Sequence, residues 1–230
     1  MRLVVFDLDG TITLKDTLLP YVLGYLRRAG RSRLRLVRVL PSVAAFGLGA
    51  ADHGAVKSAF IRGTLGGARR ETLSRWTDEF VPALLERGCA AQALSAVRAH
   101  REAGDHLVLM SASTDLYVPQ IGQALGFAQV LCTGVAFDAQ DRLTGALTTV
   151  NCRGAEKVRR FQALKGQYPG LRSIAYGNAG SDLAHLQLAD RSYVVNASAR
   201  TRRKALALGM QVLPEWLTST CAPATVRERT

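Results

Sequence analysis

Leu3-Val4-Val5-Phe6-Asp7-Leu8-Asp9-Gly10-Thr11 is the stretch on which the fold turns. Four apolar residues, two of them valines, run into an acidic, glycine-containing turn. A short run of this kind is expected as a buried strand of a parallel sheet. In open α/β sheets the carboxyl ends of the strands form the ligand edge, so Asp7 and Asp9 are expected there. A carboxylate can attack phosphorus and form an aspartyl-phosphate. A second carboxylate can protonate a leaving oxygen and later activate water. The alternative reading is a strand exit bearing two solvated aspartates.

Outward from this strand the chain reads in two styles. Residues 17 to 87 look helical, with apolar positions recurring at Leu18, Tyr21, Val22, Tyr25 and Leu26. Gly30, Pro41, Gly47–Gly49 and Gly66–Gly67 are the expected breaks. Beyond them strands and helices alternate: helix 91–103, strand 106–110, helix 115–125, a strand at Val130–Leu131, and a hairpin of 135–137 with 143–147. Helix 154–166, strand 172–176, helix 181–188, strand 192–195, helix 199–208 and a strand at 210–213 complete it. This alternation predicts an α/β fold: a Rossmann-like three-layer core with a parallel sheet, plus an inserted α-helical cap. The expected division is 1–15 and 90–215 for the core, 16–89 for the cap, and a tail over 216–230, frayed from Thr218.

Three more segments fall at predicted strand ends. In Met110-Ser111-Ala112-Ser113 a hydroxyl can bond a phosphate oxygen, and the helix expected from 115 would aim free N–H groups at an anion. An ordinary cap by Ser113 or Thr114 is the competing reading. Lys157, near a helix start, opposes the helix dipole unless an anion is close. A solvated lysine paired with Glu156 is its alternative. Asn178 and Asp182, in Tyr176-Gly177-Asn178-Ala179-Gly180-Ser181-Asp182, offer the hard oxygen donors that magnesium takes. Capping of helix 181–188 is theirs.

In their order, DLDGT, SAS, GAEK and GNAGSD resemble the four motifs of the haloacid dehalogenase superfamily of phosphatases, over nearly the whole chain. The branch resembled carries a helical cap between the first two motifs. The resemblance implies a magnesium-dependent phosphomonoester hydrolase with Asp7 as nucleophile and metal ligand. Asp9 would be the general acid and base and lend a carbonyl to Mg2+. Ser111, Ala112 and Lys157 would bind the phosphoryl group, and Asn178 and Asp182 would complete the metal site. Asn178 departs from the family, which usually has a carboxylate there, so weaker metal affinity is expected. Within that branch the chain looks more like the phosphatidylglycerophosphatase C type than like phosphoserine phosphatases.

Composition sets the remaining bounds. Of 230 residues, 48% are hydrophobic and 21% charged, so a packed core is expected. Cys89, Cys132, Cys152 and Cys221 form no CxxC pair, which speaks against a structural zinc site and a disulfide framework. Carboxylates interrupt the first apolar run after four residues, so no secretory signal is expected and a cytoplasmic location is. The net charge of +12 raises the expectation of an anionic partner, with an Arg-rich, Ala-rich composition as the alternative reading. It is unevenly spread: Arg27, Arg28, Arg31, Arg33, Arg35 and Arg38 fall in a window without acidic residues, followed by thirteen uncharged residues, Val39 to Ala51. That is shorter than the about 20 residues that span a bilayer, but it suits a segment lying on an anionic membrane, peripheral to its inner face. An internally packed cap helix with solvated arginines is the alternative. No acidic residue early in the cap stands out as a partner for a substrate ammonium group. A phospholipid phosphate such as phosphatidylglycerophosphate is therefore the expected substrate, with a soluble metabolite phosphate as the rival. A degenerate anion-binding protein is a further reading. Nucleic acid is not expected, since no aromatics interleave with the arginines.

Overall fold

The computed structural model describes residues 1–214 and Trp216. It opens on strand β1 (Leu3–Phe6), followed by helix α1 (Leu18–Arg28), a 3-10 helix (Arg33–Val39), α2 (Leu40–Gly47), α3 (His53–Leu65) and α4 (Arg70–Arg87). Helix α5 (Ala91–Glu102) leads into β2 (His106–Thr114), α6 (Val118–Leu125) and β3 (Gln129–Thr133). A hairpin, β4 (Val135–Phe137) and β5 (Leu143–Leu147), precedes α7 (Ala155–Gln167) and β6 (Ser173–Gly177). Then come α8 (Leu183–Leu186), β7 (Arg191–Val194), α9 (Ala199–Ala207) and β8 (Gln211–Val212).

Six strands form one parallel sheet in the order β3-β2-β1-β6-β7-β8. Chain order reverses at β1, which pairs β2 on one side and β6 on the other. The crevice beyond such a reversal is where open α/β sheets bind ligands. β1 is buried on both faces: Val4 and Phe6 join one hydrophobic cluster, Leu3 and Val5 the other. The helical segment between β1 and β2 has no separate core. Tyr21, Tyr25, Ile61, Leu73 and Phe80 belong to the same cluster as Phe6, Leu8 and Tyr117. Tyr21 stacks obliquely on Tyr117 at 4.6 Å, and its hydroxyl bonds the Thr77 hydroxyl at 2.9 Å.

Several elements differ from the sequence expectation. β2 does not stop at Met110 but runs to Thr114, with its register on β3 shifting between those residues. Helix α6 therefore starts at Val118, and no helix N-terminus follows Ser113 directly. Neither Ser113 nor Thr114 caps it; that position belongs to Tyr117. The helix expected over 181–188 is a single turn, α8, because Ser181 and Asp182 belong to the preceding loop. Pro41 sits in the first turn of α2 rather than between helices, where its missing N–H costs nothing. Trp216 is not tail-like: it is buried, its N–H donates to Asn196 Oδ1 at 2.6 Å, and its ring lies 5.9 Å from Tyr176. The fraying expected from Thr218, and Cys221, lie outside the described residues. Cys89, Cys132 and Cys152 are free thiols.

Candidate active site

The turn after β1 is built to present carboxylates. Asp7 N–H still donates to Tyr176 O at 3.0 Å, extending the strand pairing by one residue. The Leu8 carbonyl then accepts N–H bonds from Thr11, Ile12 and Thr13, curling the chain back. Gly10 is required twice. Its φ of +76° disfavours any side chain, and a Cβ there would lie 2.0 Å from the Asn178 Nδ2 atom. The loops after β1 and β6 are thus in contact across the crevice, reinforced by Asn196 Nδ2 donating to Gly10 O at 3.0 Å.

Asp7 is buried and clamped. Lys157 Nζ donates to its Oδ1 at 2.6 Å and Thr11 Oγ1 to its Oδ2 at 3.0 Å. The same lysine donates to Asp182 Oδ1 at 2.9 Å. Asp182 Oδ2 accepts the N–H groups of Asn178 and Ala179 at 3.3 and 3.0 Å. Asp182 therefore shapes its own loop and orients the lysine. Lys157 is 2% exposed, and Glu156 pairs instead with Arg159 and Arg160, so the solvated-lysine reading does not hold. Burial pushes the Asp7 carboxyl up, against the pull of the Lys157 ammonium. Burial also works against the Asp182 carboxylate, yet Lys157 holds it below its ordinary value.

Asp9 points to the other side. Its Oδ1 accepts from Thr17 N at 2.8 Å and Thr17 Oγ1 at 2.6 Å, and its Oδ2 from Ser113 Oγ at 2.6 Å. Burial nevertheless raises its carboxyl above the usual range, which favours holding a proton. The register shift in β2 brings Ser113 here. Ser111 is fully buried behind it, accepting Ser113 N–H at 3.0 Å, with its own hydroxyl 3.5 Å from Asp9.

These groups surround a cavity of about 190 Å³ lined by Asp7, Asp9, Ala112, Ser113, Lys157 and Asn178. The residues between β1 and β2 supply another wall: Asp16, Leu18, His53 and Lys57. Sequence reading missed Lys57. From α3 it donates to the Ala112 carbonyl and, at 2.6 Å, to Asn151 Oδ1, which also accepts from Thr133 Oγ1 at 3.2 Å. Among the described residues no carboxylate lies within ion-pair distance of its ammonium. Burial lowers it to about 8. Asp16 corrects another expectation: an acidic residue does stand at the cavity, with its Oδ1 accepting from Leu18 and Leu19 N–H at the start of α1.

The donor set suits a hard cation. Asp7, Asp9, Asp16 and Asp182 place four carboxylates against the cations of Lys57, Arg153 and Lys157, so the lining carries more acidic than basic groups. Its oxygens are carboxylate, amide and main-chain, the types magnesium takes. No cluster of three His, Cys, Asp or Glu stands ready as an all-protein cage among the described residues. The six arginines do not enter the cavity. Arg31 and Arg35 donate to carbonyls of Gly63 and Gly66, fastening the 3-10 helix to α3, and Arg28 pairs with Glu79. Arg27, Arg33 and Arg38 are exposed.

A buried carboxylate, a second carboxylate and a lysine gathered at the switch point of a parallel sheet are the arrangement of one class of hydrolase. The chain belongs to the haloacid dehalogenase-like hydrolase family, whose model matches residues 4–187. Among individual relatives it is 31% identical to Protein CicA of Caulobacter vibrioides, over 82% of this chain and 83% of that one. A protein of unknown function from Bordetella pertussis Tohama I superposes with a TM-score of 0.76 at 27% identity, covering 92% of this chain and 97% of the other. A phospho-aspartyl intermediate analogue of phosphoserine phosphatase shares the fold, with a TM-score of 0.65 at 14% identity over 95% and 94% of the chains.

Proposed function

We propose that this hydrolase is a phosphatase that cleaves phosphomonoesters through an aspartyl-phosphate on Asp7. The observation that carries the reading is the buried Asp7 carboxylate, clamped by a lysine that Asp182 orients, with a second carboxylate across the cavity. An Asp7 oxygen attacks phosphorus and the bond to the ester oxygen breaks, while Asp9 delivers its proton to that oxygen. Asp9 then takes a proton from a water that attacks the phosphorus, and Asp7 is released. Lys157 neutralises charge on the transferring oxygens throughout. The hydroxyls of Ser113 and Thr17 aim Asp9, while Ala112 and Ser113 line the cavity beside the phosphoryl group and Ser111, buried behind them, holds the Ser113 N–H. Lys57 adds a second cation from the opposite wall.

Magnesium would be held by Asp7, the Asp9 carbonyl and the Asn178 amide oxygen, and supplies positive charge against the phosphoryl oxygens when bound. Asp182 would complete that set: its oxygens accept hydrogen bonds from Lys157, Asn178 and Ala179, just as both Asp7 oxygens accept from Lys157 and Thr11, which leaves lone pairs for a metal on each.

The leading substrate class is a phospholipid phosphate. A groove lined by Ala55, Ala146, Leu147 and Val150 adjoins the cavity and shares His53, Asn151 and Arg153 with it, giving an apolar tail a place beside the phosphate. Asp16 supports a second reading, a small soluble metabolite bearing an ammonium group. The test is phosphate release from an aryl phosphate, a lysophosphatidate and an amino-acid phosphate, each with and without magnesium. Hydrolysis that Asp7→Asn abolishes is expected, with preference for the lipid. Undiminished turnover by Asp7→Asn would falsify the nucleophile assignment, and preference for the amino-acid phosphate would reverse the choice of substrate.

A further inference from the structure

Helix α2 has no charged residue, and none of its side chains is buried. Helices apolar on all sides ordinarily lie inside a core or against a partner. This one lies on the outside of the segment between β1 and β2. Leu34, Val37, Leu40, Val43, Phe46 and Leu48 are exposed, from 39% for Phe46 to 85% for Leu48. Only five other large apolar residues are as open among the described residues, and none of those is a neighbour in sequence. The spacing of three from Leu34 to Phe46 aligns the side chains: residues three apart eclipse in a 3-10 helix and adjoin on an α-helix. The result is one apolar stripe along two consecutive elements, of the kind that marks an interaction surface.

Arg27, Arg33 and Arg38 flank the stripe, all exposed and, among the described residues, without a carboxylate partner. We propose that this stripe and its arginines dock the protein on the surface of an anionic lipid bilayer. The pairing of chemistries selects the occupant. A second copy meeting the same face would cover the apolar residues but bring the arginines together. A nucleic acid would neutralise the arginines but leave six aliphatic and aromatic side chains against phosphates. An anionic bilayer meets both needs, taking the side chains into the acyl boundary and the guanidinium groups among the headgroups. No helix among the described residues is long and apolar enough to cross a membrane, so the contact is peripheral. It also faces the right way: the Phe46 ring lies 4.7 Å from the ring of His53, which lines the catalytic cavity. Docking there would set the bilayer close to the His53 wall of the cavity. The inference stands apart from the chemistry proposed at Asp7.

The experiment is co-sedimentation of the full chain with phosphatidylcholine vesicles, with and without phosphatidylglycerol. Wild type is compared with Leu40→Ser/Phe46→Ser and Arg33→Glu/Arg38→Glu; all four positions are exposed, so folding should survive, and circular dichroism confirms it. Wild type is expected to bind only the anionic vesicles, less at raised salt. Each arginine near the surface is worth about fivefold in partitioning, so the charge-reversed variant should bind at least about 25-fold more weakly. The apolar variant should lose binding as well. Absence of wild-type binding at physiological salt overturns the proposal. So does a wild-type dimer in sedimentation velocity that the apolar variant dissolves. Hydrolysis of a soluble aryl phosphate is measured in parallel: its absence in wild type counts against the phosphatase reading alone, and the vesicle result still decides docking.

Discussion

Asn178 lines the cavity where a carboxylate would add one more negative charge beside Asp7, and its neutral amide would hold a cation there less strongly. Asn178→Asp should lower the magnesium concentration needed for half-maximal turnover, by about tenfold for an added charge worth roughly 1.4 kcal/mol; an unchanged requirement rules Asn178 out as a ligand. Lys57 makes the second test at this scale. Burial brings its ammonium down to about 8, so it is charged below that pH and neutral above. Competitive inhibition by inorganic phosphate should therefore weaken as pH rises through about 8. In Lys57→Met that limb should vanish, with inhibition about tenfold weaker at neutral pH, as for loss of one charge-assisted hydrogen bond. Lys57→Arg should restore the affinity without the limb. A Met variant with the wild-type profile removes Lys57 from the phosphate site.

Helix α3 depends on an approach made by β5. Gly145, at φ +86°, lets the hairpin backbone meet the helix, where a Cβ would come within 2.6 Å of the Arg62 Cα and N atoms. Ser58 Oγ closes the same contact by donating to Gly145 O at 2.8 Å. Gly145→Ala should destabilise the protein by about 2 kcal/mol or more, from left-handed strain together with the clash, and displace Lys57 enough to raise KM. Urea unfolding and steady-state kinetics read both. Elements also show what sequence could reveal. β1 and its turn were legible because an apolar run and a glycine exit are local features, and the alternation of strands and helices along the chain pointed to a parallel sheet without giving its strand order. The extent of β2 was not legible, since it is carried past Met110 by Thr114 pairing with Thr133 of β3 beyond a register shift, a contact distant in sequence. That extension is what gives Ser113, rather than Ser111 alone, to Asp9. Lys57 was illegible for a similar reason: within His53–Leu65 it reads as a surface lysine, and only the contact between α3 and the Ala112–Asn151 wall turns it inward.

Across the whole molecule, Asp105 joins distant parts. It accepts from the backbone and guanidinium of Arg2 and from His100, whose other ring nitrogen lies 3.0 Å from the Tyr176 hydroxyl. Burial works against its charge, yet these bonds hold the carboxyl down at about 2, from an ordinary 3.8. A depressed carboxyl contributes stability that is complete above its unfolded value and lost as pH falls through its folded one. Wild type should therefore lose about 2 kcal/mol between pH 4 and 2 that Asp105→Asn, already weaker at neutral pH, does not lose. Parallel pH dependence of the two proteins in denaturant melts would exclude the linkage. The hydrophobic cluster that runs unbroken from Phe6 through Tyr117 and Tyr21 to Phe80 has a consequence for traffic. A hinge that lifted these helices as one body would have to part that core. Ile61 and Leu65 moor the far half of α3 in that cluster, whereas His53 and Lys57 sit on its near half, beside the uncovered α2. The near half of α3 is thus the part of this wall least held by the core, and a contact made on α2 from outside would bear on it first.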